Sequence, residues 1–175
     1  MDITRALHII RPGAAWSLDG NTYAGLTWLD QVQAKPTEAE ILAADSQVSA
    51  KGLKDKVSAK RYDVETAGIN FTYRTATVPV STTRPSQEKI DSARNMVRDN
   101  AWVDNSNWKF ADGVFRPMTA VEITAMCDAV RTHIKACFDN EATKFAEINA
   151  TGTTDVNTGW PATANTPTTT TFQNN

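Results

Sequence analysis

One helical pattern constrains this chain more than any other feature. Thr119-Ala120-Val121-Glu122 reads as a capping box directly after Pro117, the Thr hydroxyl and the Glu carboxylate each satisfying an amide the helix start leaves free. Ile123, Cys127, Val130, Ile134 and Cys137 then step by four, three, four and three, before the stripe shifts to Phe138, Phe145 and Ile148. A helix with such a stripe must bury it. The spacing suits either the domain's own strands or identical helices of neighbouring subunits. It lasts about two heptads, short of the three to four that would argue for a coiled coil alone. Packing in the chain's own core is the favoured reading, and a homo-oligomer built through other surface stays open.

That helix also decides the cysteines. Cys127 and Cys137 both fall on its apolar stripe, and at about 1.5 Å rise per residue they stand roughly 15 Å apart, beyond the ~7 Å reach of a disulfide. They are expected to be buried free thiols, which fits a cytoplasmic folding compartment.

Upstream, Pro36-Thr37-Glu38-Ala39-Glu40 announces another capped helix, with Ile41, Ala44, Val48, Leu53 and Val57 as an imperfect stripe and Gly52 as a weak point. Its expected extent is Thr37 to about Ala59. Alternation follows. Tyr62 and Val64 precede Thr66-Ala67-Gly68, Ile69, Phe71 and Tyr73 follow it, and Val78 and Val80 lie beyond a second break at Arg74-Thr75-Ala76. A period of two around a Gly-containing turn reads as a hairpin with one apolar face, and Pro79 puts the last run at an edge. So short a sheet needs a cover. The helix after Thr119 can supply it, and so can a helix with Ser86 as N-cap and Ile90, Ala93 and Val97 as its stripe. Between them, residues 102–117 read as an aromatic connector carrying Trp102, Trp108, Phe110 and Phe115, with Asp112-Gly113 as a turn.

The expected fold class is α+β: a short antiparallel hairpin or three-stranded sheet packed against two or three helices. A β-rich attachment segment over residues 1–36 precedes the core module of 37–150, and an extended Thr-rich arm of 151–175 follows it. Trp16 and Trp28 in the first segment, and Trp160 and Phe172 in the arm, are the candidate partner-binding residues. Trp16 and Trp28 serve equally well as cover for one edge of the core. The arm is poor in apolar residues and broken by Gly152, Gly159, Pro161 and Pro167, so it is expected to lie along an adjacent subunit.

The chemistry is sparse. Of 175 residues only two are histidines, and a net charge of −2 gives no uniform field to attract phosphate backbones, arguing against nucleic-acid binding. His133, Cys137 and Glu141 share a helix face but lack the partners of a metal site. No nucleophile elbow, phosphate loop or dinucleotide fingerprint is present. Catalytic, cofactor-binding and metal-binding residues are all expected to be none. No window reaches the roughly 20 apolar residues of a membrane helix, so no membrane insertion is expected.

Four groups of residues carry a resemblance. Glu65-Thr66-Ala67-Gly68-Ile69, Thr83-Arg84-Pro85-Ser86-Gln87, Trp108-Lys109 with Asp112-Gly113, and Ala129-Val130-Arg131-Thr132-His133-Ile134 with Cys137-Phe138 follow one another in order. Together, over about residues 51–148, they resemble the uncharacterised domain of tailed-phage tail-fibre, baseplate and tail-fibre-assembly proteins. Similar proteins often have a second Gly where Ala67 stands and an Asp where Thr83 stands. The resemblance implies a non-enzymatic bacteriophage virion component in the tail, made in the host cytoplasm, with other phage virion proteins as partners. Alternatives are a tail-fibre assembly chaperone and a small glycan-binding or cell-wall-degrading tail protein.

Overall fold

The computed structural model describes residues 1–164. The first elements are α1 (Ile3–Ile10), β1 (Trp16–Leu18), β2 (Leu26–Trp28) and α2 (Glu38–Thr66). There follow β3 (Ile69–Tyr73), β4 (Ala76–Val80), α3 (Arg84–Arg98), β5 (Ser106–Lys109), β6 (Phe115–Met118) and α4 (Ala120–Thr151). Each consecutive pair of strands makes its own two-stranded antiparallel sheet, so the fold is α+β.

Both capping boxes form. The Thr37 hydroxyl accepts from the Glu40 amide at 3.2 Å while the Glu40 carboxylate takes the Thr37 amide at 2.7 Å. Thr119 and Glu122 do the same at 3.2 and 2.8 Å. The helix starts are thus set by contacts three residues apart. At α3 the start falls earlier than Ser86, with Thr83 at the N-cap and Pro85 in the first turn, where its missing amide hydrogen costs nothing.

Elsewhere the structure departs from the pattern reading. Residues 3–10 are a helix: Asp2 caps the Arg5 amide at 3.0 Å, and Ile3, Ala6 and Leu7 are buried at helical spacing. Residues 1–36, expected to be β-rich, therefore combine a helix with a short hairpin. α2 runs unbroken through Gly52, and Tyr62 and Val64, expected as a first strand, belong to its last turns. Gly68, at φ +88°, ends that helix rather than turning a hairpin. The hairpin is β3–β4, turning at Arg74 (φ +54°) and Thr75, with Ile69 opposite Val80, Phe71 opposite Val78 and Tyr73 opposite Ala76. Residues 106–118, expected as a connector, are also a hairpin, β5–β6, turned by Asp112 and Gly113 (φ +82°).

The chain forms two compact units, Met1–Lys56 with Lys144–Asp155, and Val57–Thr143 with the described chain from Val156. α2 and α4 each lend residues to both. In the first unit Ile3, Ala6, Leu7, Leu26, Ile41 and Ala44 form the core, with Trp16, Tyr23 and Trp28 packed at its margin. In the second, the apolar face of β3–β4 meets Ile90 and Ala93 of α3, Phe110 and Met118 of the β5–β6 hairpin, and Ile123, Met126, Cys127 and Val130 of α4. Ile123, Cys127 and Val130 of the α4 stripe are thus buried in the chain's own core with Ile134 packed against it, Phe138 further along is 45% exposed, and Cys127 and Cys137 are buried and free.

Of the described part of the arm, residues 151–155 belong to the first unit and the chain from Val156 to the second. The Ala164 amide donates to the Gly68 carbonyl at 3.0 Å, and the Asn140 side-chain amide donates to the Thr158 carbonyl at 3.2 Å.

Candidate functional site

Glu65 is the fully buried acid of the second unit, with 0% of its surface exposed. It occupies the last turn of α2, where a free carboxylate would oppose the negative end of the helix dipole. Its neighbours reverse that cost. Arg61, one turn earlier, binds one carboxylate oxygen. Arg84, in the first turn of α3, reaches the two oxygens at 3.0 and 3.2 Å, and the Gln87 side-chain amide donates at 3.2 Å. Arg61 is held in turn by Glu141 of α4 at 3.1 Å and lies over the Phe138 ring at 4.6 Å. The carboxylate therefore ties three helices together through charge-assisted hydrogen bonds.

The backbone around it is equally committed. The buried Thr82 hydroxyl donates to the Glu65 carbonyl at 2.6 Å and accepts from the Gly68 amide at 2.8 Å. The Thr82 carbonyl in turn accepts from Gln87 at 2.8 Å. His133 of α4 places Nε2 3.1 Å from the Val64 carbonyl; a carbonyl only accepts, so Nε2 carries the hydrogen. Cys137 Sγ lies 3.8 Å from the same nitrogen. Burial, with the Glu65 charge nearby, pushes the Cys137 thiol up to about 11, so it stays protonated at neutral pH.

Three of the four word groups that carry the sequence resemblance thus converge on one spot: Glu65 and Gly68, then Arg84 and Gln87, then His133 and Cys137. What they build is a clamp. His133, Cys137 and Glu141 do lie together, yet His133 faces a carbonyl and Glu141 faces Arg61. Among the described residues no group of three or more His, Cys, Asp or Glu side chains is arranged to hold a metal ion. No described helix is long and apolar enough to cross a membrane.

The residues expected to bind partners are dispersed. Trp16 and Trp28 face each other across β1–β2, both half-buried. Trp16 meets the His8 ring edge-on at 5.7 Å, and Trp28 Nε1 donates to the Gln33 carbonyl at 2.8 Å. Trp160 is half-buried in the second unit, with Nε1 donating to the Val156 carbonyl at 2.8 Å. Phe172 and the Thr168–171 run lie outside the described residues. The Glu65 clamp went unnoticed in the sequence because Arg84 and Glu141 stand 19 and 76 positions from Glu65, beyond any local pattern.

No curated protein and no solved structure matches this chain. One family model does, the domain of unknown function DUF4376, over residues 47–164. Its end coincides with Ala164, the residue docked on Gly68, and its span takes in every member of the Glu65 clamp. The chain belongs to the DUF4376 family.

Proposed function

We propose that this chain is a structural, non-enzymatic component of a tailed-bacteriophage virion, placed in the tail fibre or baseplate and acting by binding neighbouring virion proteins or further copies of itself. The convergence of the resemblance-bearing residues on the Glu65 clamp carries this reading. Residues spent on locking helices together make a rigid module, and what a rigid module offers is its surface. That surface includes Val103, Val114, Phe115 and Val121, exposed by 71, 62 and 77% for Val103, Phe115 and Val121 and by 48% for Val114. Exposed apolar groups of that size fit contact with other subunits.

Mass spectrometry of purified particles tests the reading directly. Stoichiometric copies of the chain in intact tails are expected. A chain required for infectivity yet absent from finished particles would overturn the structural role in favour of an assembly chaperone. Turnover of envelope glycan by the isolated protein, lost on a single acidic substitution, would overturn the non-enzymatic one.

A further inference from the structure

A groove of about 330 Å³ opens in the second unit between the end of β4, the first turns of α3 and the outer edge of β5. Val80, Ile90, Trp108 and Phe110 are its apolar lining, and Lys89 and Lys109, both exposed, line it as well. Neither lysine has a carboxylate partner among the described residues; Lys109 only overhangs the Phe115 ring at 5.7 Å. The nearby acid Asp112 is taken by Arg116 at 2.7 Å.

The β5 edge is also unpaired. The Phe110 amide bonds the Val114 carbonyl at 3.0 Å, which sets the alternation of the β5–β6 ladder. Asn107, opposite Pro117, and Lys109, opposite Phe115, are then the non-bonded pairs, and Pro117 has no amide hydrogen to lose there. The main-chain groups of Asn107 and Lys109 consequently point away from β6, and both residues line the groove. Beyond the end of β5 the Ala111 amide donates to the Pro79 carbonyl at 3.0 Å, tying the following turn to β4.

From this geometry we infer that the groove takes an extended acidic segment of a partner protein. The segment adds as a strand to the outer edge of β5, rests an apolar side chain on the half-buried Trp108, and brings carboxylates to Lys89 and Lys109. The unpaired strand edge favours a peptide over an acidic sugar, because only a peptide returns the alternating donors and acceptors of a ladder. The inference deepens the assembly role proposed above and rests on it for the partner being a neighbouring subunit. Its test needs no virion, so the two can fail separately.

The experiment is an array of hexapeptides with Phe, Leu or Trp at the centre and Asp, Ser or Lys on either side, alongside uronate- and sialate-bearing glycans, probed with the labelled full chain. Asp-flanked peptides are expected to bind about tenfold more strongly than Ser-flanked ones. The exposed pair of substitutions Lys89→Glu and Lys109→Glu should leave the circular dichroism spectrum unchanged and reverse the preference toward Lys-flanked peptides. Asn107→Pro, which removes one outward donor and no ladder bond, should weaken all peptides alike. Absence of peptide binding, a preference that survives the charge reversal, or binding confined to acidic glycans would each overturn the inference.

Discussion

Replacing Glu65 with Gln tests whether the clamp holds the second unit together. The substitution keeps shape and volume but removes the charge that Arg61 and Arg84 oppose, and turns one acceptor into a donor facing a guanidinium. Removing one partner of a buried ion pair costs about 3–5 kcal/mol, because the remaining charge is left uncompensated. Here the lower end applies. The Arg84 side chain is 51% exposed and can return to water, and Arg61 keeps Glu141 at 3.1 Å and the Phe138 ring at 4.6 Å. A loss of about 3 kcal/mol lowers the melting temperature of a chain this size by roughly 6–12 °C. Urea unfolding followed by tryptophan fluorescence, with Trp102 and Trp108 in the same unit, should show a lower midpoint at unchanged slope. Arg84→Ala should cost about 1 kcal/mol or less, in keeping with its exposure. The double substitution should cost less than the two singles added. A Glu65→Gln protein within about 0.5 kcal/mol of the parent, the scatter of ordinary surface changes, would refute the clamp as a source of stability.

Two glycines should respond oppositely to alanine. Gly68 has φ +88° and a Cβ there would stand 2.9 Å from the Val80 carbonyl oxygen, so Gly68→Ala should lower the stability measured by urea unfolding by about 2 kcal/mol. Gly52 lies inside α2 with open space around a Cβ, so Gly52→Ala should raise stability by about 0.4–1 kcal/mol in the same assay. Neither cysteine should react with a thiol reagent at pH 8 in the folded chain, since burial pushes both thiols up, and both should react in guanidinium; fast titration of the native protein would contradict their burial. The Arg5 hydrogen bond holds Asp45 below its ordinary value of 3.8. Its contribution is complete above that value and is lost as pH falls through the lower folded one. Stability should therefore drop on acidification below pH 3.8, and Asp45→Asn should flatten that limb of the pH profile.

The sequence was most readable where structure is local. The Thr37 and Thr119 caps depend on partners three residues away, and the α4 stripe repeats often enough to identify both the helix and its buried thiols. Tyr62 and Val64 were misleading because two apolar residues at i and i+2 fit a strand and a helix equally, and Gly68 serves as turn or helix stop alike. α1 was legible after all, since Ile3, Ala6, Leu7 and Ile10 stand at i, i+3, i+4 and i+7 behind a capping Asp2. The β5–β6 hairpin was hidden by strands four residues long with Phe115 exposed and Pro117 in the ladder. At the clamp the signal was of another kind. The words containing Glu65, Arg84 and His133 were visible as a resemblance, while their meeting depends on the whole second unit being folded.

The path of the chain between its two units has a consequence for synthesis. Residues 144–155 rejoin a unit begun by residues 1–56, so that unit is not contiguous in the sequence. A ribosome adding about 5–20 residues per second keeps the first 56 waiting roughly 5–20 s for the last of their partners. Over that interval Ile3, Leu7 and Ile41 have emerged while Ile148, buried in the finished fold, has not. The amino-terminal part of every nascent copy thus passes through a period in which its complement is still to be made.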